Sequence, residues 1–211
     1  MGFQRLASES AAIGVNVVDL PEALSSFFEA GEAAAIWHRQ PAPGFQDWID
    51  RLPTEQLPRG REILQPRQVH DTVIALCDAA GMPAGPERDW LIEDITALAQ
   101  FFADAMSTAH LRLRLDVITG NACRRFHIDA VTARFLCTYR GTGTQYGVST
   151  DGEQPREVFT VPTGAPILLR GTQWPDPNAS GLLHRSPPIE GTGETRLVLV
   201  LDAISDPEDA V

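Results

Sequence analysis

Two histidines, an aspartate and an arginine stand out in this chain by type and spacing: His127-Ile128-Asp129, then His184, then Arg196. In an extended segment side chains alternate between faces, so the His127 imidazole and the Asp129 carboxylate project one way and Ile128 the other. His184 follows Gly181-Leu182-Leu183 and precedes a Pro187-Pro188 turn; Arg196 lies twelve residues further on, in the strand-like run Thr195 to Asp202. Two imidazoles and one carboxylate converging from neighbouring strands make a facial metal site with open positions, a donor set that suits Fe(II) better than zinc. Arg196 beside it would clamp an anion. A buried guanidinium needs an acidic or anionic partner, and Glu194 or Asp116 would be the internal ones.

The His-x-acid pair alone carries little weight, since five histidines and 28 acidic residues produce about 0.66 such pairs by chance. Its context carries more, because each member falls on or beside an expected strand. The plainer readings are a hydrogen-bonded pair for His127 and Asp129, and a turn residue for His184. A second metal reading adds the Cys123 thiolate to the two imidazoles and favours zinc. Cys77, Cys123 and Cys137 are odd in number and lack paired spacing, so reduced thiols are expected, with Cys123 and Cys137 most simply core residues. Tyr139, Gln145, Tyr146 and Trp174 read as packing, and His38, His70 and His110 as surface or capping residues.

The elements that must hold these residues divide the chain in two. Residues 1–110 read as mainly helical: a helix-like stretch from Pro21 to Phe28, a short buried strand at Ala33 to Trp37, helices near Phe45 to Leu52 and Gln68 to Ala80, and a long helix from Pro86 to about His110. In that last helix Leu91, Ile95, Leu98, Phe102 and Met106 recur at helical spacing, with Glu87 and Asp89 in the first turn. From Leu111 the period changes to two, with Leu111, Leu113, Leu115 and Val117 alternating with Arg112, Arg114 and Asp116. Further strand-like runs at 126–129, 131–140, 156–161, 166–170, 181–184 and 195–202 predict an antiparallel sandwich or barrel. Gly141-Thr142-Gly143 reads as a turn, since no helix opens after it. The expected fold is α+β, one domain of 211 residues, with a flexible acidic tail at 204–211.

Composition narrows the function classes. All 17 basic residues are arginine, so the lysines of a P-loop, of pyridoxal phosphate enzymes and of Schiff-base aldolases are missing. There is no Gly-x-Ser-x-Gly. The net charge of −11 argues against nucleic acid and anionic membranes as partners. No stretch is apolar enough to span a bilayer, and the expected location is cytoplasmic.

The segments Cys123-Arg124-Arg125-Phe126-His127-Ile128-Asp129, Leu136 to Thr144 and Leu183-His184-Arg185-Ser186-Pro187-Pro188 resemble a bacterial family named domain of unknown function 1826. More distantly, the order His-x-Asp, His, Arg over residues 111–202 is similar to the Fe(II) and 2-oxoglutarate dependent dioxygenases. That resemblance implies a C-terminal double-stranded β-helix, or jelly roll, over 111–203 with the helical half packed on it. It assigns His127, Asp129 and His184 to iron and Arg196 to the distal carboxylate of 2-oxoglutarate, with a small molecule or protein side chain as substrate. Val198 stands where those relatives often carry Ser or Thr. A cupin-like zinc protein without redox chemistry and a metal-free interaction module are the alternatives.

Overall fold

The computed structural model describes residues 14–29, 32–149, 153–175 and 181–205. Among them are three α-helices, α1 (Phe45–Arg51), α2 (Val69–Ala79) and α3 (Pro86–Ala105), and ten strands. The strands are β1 (Val15–Val18), β2 (Ala34–Trp37), β3 (Gly60–Leu64), β4 (His110–Ile118), β5 (Ala133–Arg140), β6 (Gln145–Val148), β7 (Phe159–Thr160), β8 (Pro166–Arg170), β9 (Leu182–Arg185) and β10 (Arg196–Ile204). Pro21–Phe28 is a 3-10 helix. No helix among the described residues is long and apolar enough to cross a membrane.

Seven strands form one sheet in the order β1-β2-β8-β5-β10-β4-β3, and β7-β6-β9 form a second. Among the described strands only β1 and β2 pair in parallel. The period-two pattern explains the layering. Leu111, Leu113 and Leu115 of β4 and Leu197, Leu199 and Leu201 of β10 share one apolar cluster with α1, α2 and α3. Val198 and Val200, one residue out of phase, join Leu136, Ile167, Tyr146, Val161 and Leu182 in a second cluster that spans the two sheets. Helices thus cover one face of the large sheet and the small sheet covers the other. Burying one such Leu or Val side chain is worth about 1.5–3 kcal/mol, so the alternation strongly specifies register.

The long helix carries the expected stripe, with Leu91, Ile95, Leu98 and Phe102 all buried, but it stops at Ala105 rather than near His110. Ser107 adopts a φ of 50°, and the Thr108 and Ser107 N–H groups donate to Ala103 O and Asp104 O. This is a Schellman ending with serine in the left-handed position usually held by glycine.

The sheet is not confined to the C-terminal half, because β1, β2 and β3 join it from residues 1–110. Of these only β2 is foreseen from its apolar run. The run at 126–129 is not a strand; it makes one isolated bridge, between His127 and His184. The run at 156–161 shrinks to the two residues of β7, and β6 was not anticipated. Of the acidic tail, residues 206–211 lie outside the described residues.

Candidate metal centre

His184 sits on β9, opposite Tyr146 of β6, and alternation with Leu183 and Arg185 turns its side chain inward to 7% exposure. His127 lies in the connection from β4 to β5 and is fastened to His184 by two backbone hydrogen bonds, N–H to O in each direction at 3.0 Å. That bridge makes the two imidazoles neighbours, with ring centroids 4.6 Å apart. Asp129, two residues on, follows on the same side. Its backbone carbonyl accepts Thr172 N–H at 2.9 Å, and a Cβ on Gly171 would stand 1.9 Å from Val131 O and 2.8 Å from Asp129 O. Only glycine lets this connection lie so close to the end of β8.

His127, Asp129 and His184 each offer a donor atom within 4.8 Å of the other two. His127 Nε2 is 3.4 Å from Asp129 Oδ1, and His184 Nε2 is 3.0 Å from Asp129 Oδ2. The Arg125 carbonyl lies 2.8 Å from His127 Nδ1 and can only accept, so Nδ1 carries a proton, and in the neutral imidazole Nε2 is the lone-pair nitrogen on the Asp129 side. Asp129 Oδ2 is buried and, although 3.0 Å from His184 Nε2, makes no aligned hydrogen bond among the described residues. A carboxylate with one imidazole nitrogen near each of its oxygens, Oδ2 without a hydrogen-bond partner among the described residues, suits a divalent cation, and the N2O donor set suits non-haem Fe(II). Cys123 is exposed and is not a member of the cluster, so the thiolate that favoured zinc is missing from it.

The surroundings set the charge states. Burial alone would raise the Asp129 carboxyl, but His127, His184 and Arg134 outweigh it and hold the group well below the usual carboxylate range. Asp129 raises His127 above its ordinary value, against the effect of burial. Burial dominates at His184 and lowers it. Arg134 of β5 donates Nη1 to Asp129 and grips Asp202 of β10 through Nε and Nη2 at 2.7 and 2.9 Å. Neither Arg134 nor Asp202 was singled out from the sequence. The available signal was parity, since Asp202 is an acid on the same face of β10 as Arg196, Val198 and Val200.

Arg196 opens β10 at 1% exposure. Its partners are neither Glu194 nor Asp116. Nε donates to Thr142 O at 2.6 Å, and Nη1 and Nη2 reach Ser186 Oγ at 3.2 Å and Thr138 Oγ1 at 3.4 Å. Glu194 is instead taken by the N–H and hydroxyl of Thr142 at 2.6 and 3.0 Å. Gly141, with φ of 76°, turns the chain so that Thr142 meets the arginine. Burial pulls the Arg196 guanidinium down to about 10, against the pull of Glu194. Among the described residues no carboxylate is in hydrogen-bond contact with this guanidinium, whose three nitrogens are met by one carbonyl and two hydroxyls. Neither hydroxyl was foreseen.

A cavity of about 100 Å³ joins these parts, with His127, His184, Arg134, Ser186 and Arg196 in its wall, and it adjoins a more open pocket of about 370 Å³ at Ala122 to Arg125. Tyr139, Gln145, Tyr146 and Trp174 do not line the cavity. Tyr139 donates to Asp94 on the helical side, Gln145 accepts from Arg185, Tyr146 stacks on Phe159, and Trp174 packs on Phe27.

The fold is similar to that of dioxygenase for auxin oxidation 1 from Arabidopsis thaliana, solved with 2-oxoglutarate, at a TM-score of 0.55 and 10% identity over 92% of this chain and 94% of that one. The dioxygenase for auxin oxidation of rice matches at 0.51 and 13% identity over 92% and 84%. Comparison with curated proteins finds no match. A family model described as protein of unknown function (DUF1826) matches residues 18–202, and the chain belongs to that family.

Proposed function

We propose that this protein is a non-haem Fe(II) and 2-oxoglutarate dependent oxygenase that hydroxylates a small molecule or a protein side chain. The observation that carries the reading is the convergence of His127, Asp129 and His184 donor atoms within 4.8 Å, with Asp129 Oδ2 buried beside His184 Nε2 and without a hydrogen bond among the described residues. Fe(II) held there would supply oxygen activation for a balanced reaction in which R–H, O2 and 2-oxoglutarate become R–OH, succinate and CO2. His127, Asp129 and His184 are its ligands in this reading. The remaining work falls to the chain itself. Arg196 pairs its fork with the distal carboxylate of 2-oxoglutarate, and Thr142 O holds the guanidinium in place. Val198, Val200 and Leu136 keep that wall of the cavity dry, which strengthens the ion pair.

The test is an anaerobic titration with Fe(II) and 2-oxoglutarate, followed by an oxygen-dependent succinate assay. Stoichiometric iron and a visible charge-transfer band that appears on adding 2-oxoglutarate are expected. His127→Ala and Asp129→Ala lose the metal while remaining folded. Arg196→Ala keeps the metal and loses co-substrate affinity. A wild-type protein that takes up iron with no response to 2-oxoglutarate overturns the reading.

A further inference from the structure

Arg114, Arg134, Arg185 and Arg196 all reach the cavity. Arg134 is engaged by Asp129 and Asp202. Arg185 donates Nε to Gln145 Oε1 at 2.8 Å and lies 4.4 Å over the Phe126 ring. Arg196 serves the co-substrate. Arg114 is differently placed: its Nε is buried and has no hydrogen bond among the described residues. Its Nη1 makes a loose ion pair with Asp116 Oδ2 at 3.9 Å, beyond hydrogen-bond range, and this pair does not reach Nε. Such a buried N–H costs about 1–3 kcal/mol while unpaired, and an anion that accepts from it removes the cost.

Position matters as much as the vacancy. Arg114 pairs with Val200 across β4 and β10, whereas Arg196 pairs with Ile118. The two arginines are therefore four positions apart along β10, roughly 13 Å. Val198 lies between them on the same face, with Asp116 of β4 opposite it, and Leu136 of β5 stands opposite Val200. The sheet thus presents a guanidinium at each end of a strip formed by Val198, Val200 and Leu136 with the Asp116 carboxylate at its margin, in a protein whose overall charge is −11. Local basicity against the global sign marks a built site for an anion.

We infer that Arg114 anchors the carboxylate of the substrate, which makes the oxidised compound a small carboxylic acid with an apolar body. This rests on the oxygenase reading, which reserves Arg196 for 2-oxoglutarate. The two arginine forks hold two carboxylates at opposite ends of one cavity. The planar fork of Arg114 meets such a group with paired charge-assisted hydrogen bonds, which a neutral amide of the same shape cannot match.

The test is calorimetric titration of protein holding Mn(II) and 2-oxoglutarate. The probes are isovalerate and phenylacetate, each beside its amide, isovaleramide or phenylacetamide. Each acid is expected to bind at least tenfold tighter than its amide. Arg114→Gln removes that difference and leaves 2-oxoglutarate affinity within threefold, which also shows that the variant is folded; Arg114→Lys retains part of it. Arg196→Gln has the converse effect. Acids that bind no better than their amides, or an Arg114→Gln variant that loses 2-oxoglutarate as Arg196→Gln does, overturn the inference while leaving the oxygenase reading intact. A wild-type protein that takes up neither Mn(II) nor 2-oxoglutarate removes the oxygenase reading, and this inference with it.

Discussion

Arg134 and Asp202 form a two-pronged ion pair, 2.7 and 2.9 Å long, directly behind the carboxylate proposed as a metal ligand. Asp202 is 1% exposed, so the pair is desolvated as well as well aligned. Its remaining nitrogen, Nη1, holds Asp129. One guanidinium therefore fixes the orientation of Asp129 from a strand that carries none of the metal donors.

Arg134→Met is expected to weaken metal binding by about 10–100-fold, as loss of an outer partner to a metal ligand commonly does. It also leaves Asp202 buried without its fork, at a cost of about 3–5 kcal/mol. Metal competition and urea denaturation measure the two effects separately. Unchanged metal affinity would mean that Arg134 does not orient Asp129.

In the metal-free protein the two imidazoles should titrate on opposite sides of 6.5, the ordinary histidine value, His127 above it and His184 below. The signs for stability follow by linkage. The contribution of His127 is complete below 6.5 and is lost as pH rises through its raised value. His184 resists protonation, so stability falls as pH drops below 6.5. Asp129 contributes above its ordinary 3.8, and that contribution is lost only in strong acid. Imidazole NMR across pH 4–9 reads the order directly, and a reversed order would contradict the burial of His184.

Iodoacetamide at pH 8 should modify Cys123 alone. Cys123 is exposed, whereas burial pushes the Cys77 thiol up to about 11 and the Cys137 thiol up to about 12. A thiol near 11 is only about 0.1% thiolate at pH 8, and the thiolate is the reactive form. Peptide mass mapping decides it; rapid labelling of Cys137 would mean that the sheet opens on the helical side.

On that same side Arg39 grips Asp94 of α3 through two bonds of 2.5 and 2.7 Å, and Tyr139 donates to the same carboxylate at 2.7 Å. Asp94→Ala leaves a buried guanidinium and phenol unpaired, and about 3–5 kcal/mol of stability should be lost. Metal affinity should stay within twofold, because the sheet separates this cluster from the triad. Urea denaturation and metal titration on one variant check both halves of the statement.

The helices and most strands are legible in the chain because their signals are local. Leu91 to Phe102 recur every three or four residues, and Leu111 to Val117 alternate, so each pattern names the face that must be buried. The boundary at Ala105 was misplaced because Ser107 takes a left-handed conformation that its residue type does not announce. β3 was hidden in a proline-rich connection, and its outward Arg61, Glu62 and Ile63 do not look like a strand until β4 is there to pair with.

The candidate site divides the same way. The types and order of His127, Asp129, His184 and Arg196 are visible in the chain, because coordination chemistry limits which side chains qualify, although the strand expected at 126–129 is a single bridge. Their meeting was not readable: it depends on a two-bond bridge between His127 and His184, residues 57 positions apart. The Arg134 clasp on Asp202, the Ser186 and Thr138 hydroxyls at Arg196 and the unpaired Nε of Arg114 are likewise products of register between strands distant in the chain. Side-chain periodicity is a property of neighbours in sequence, whereas hydrogen-bond partnership across a sheet is settled by which strands come to lie together.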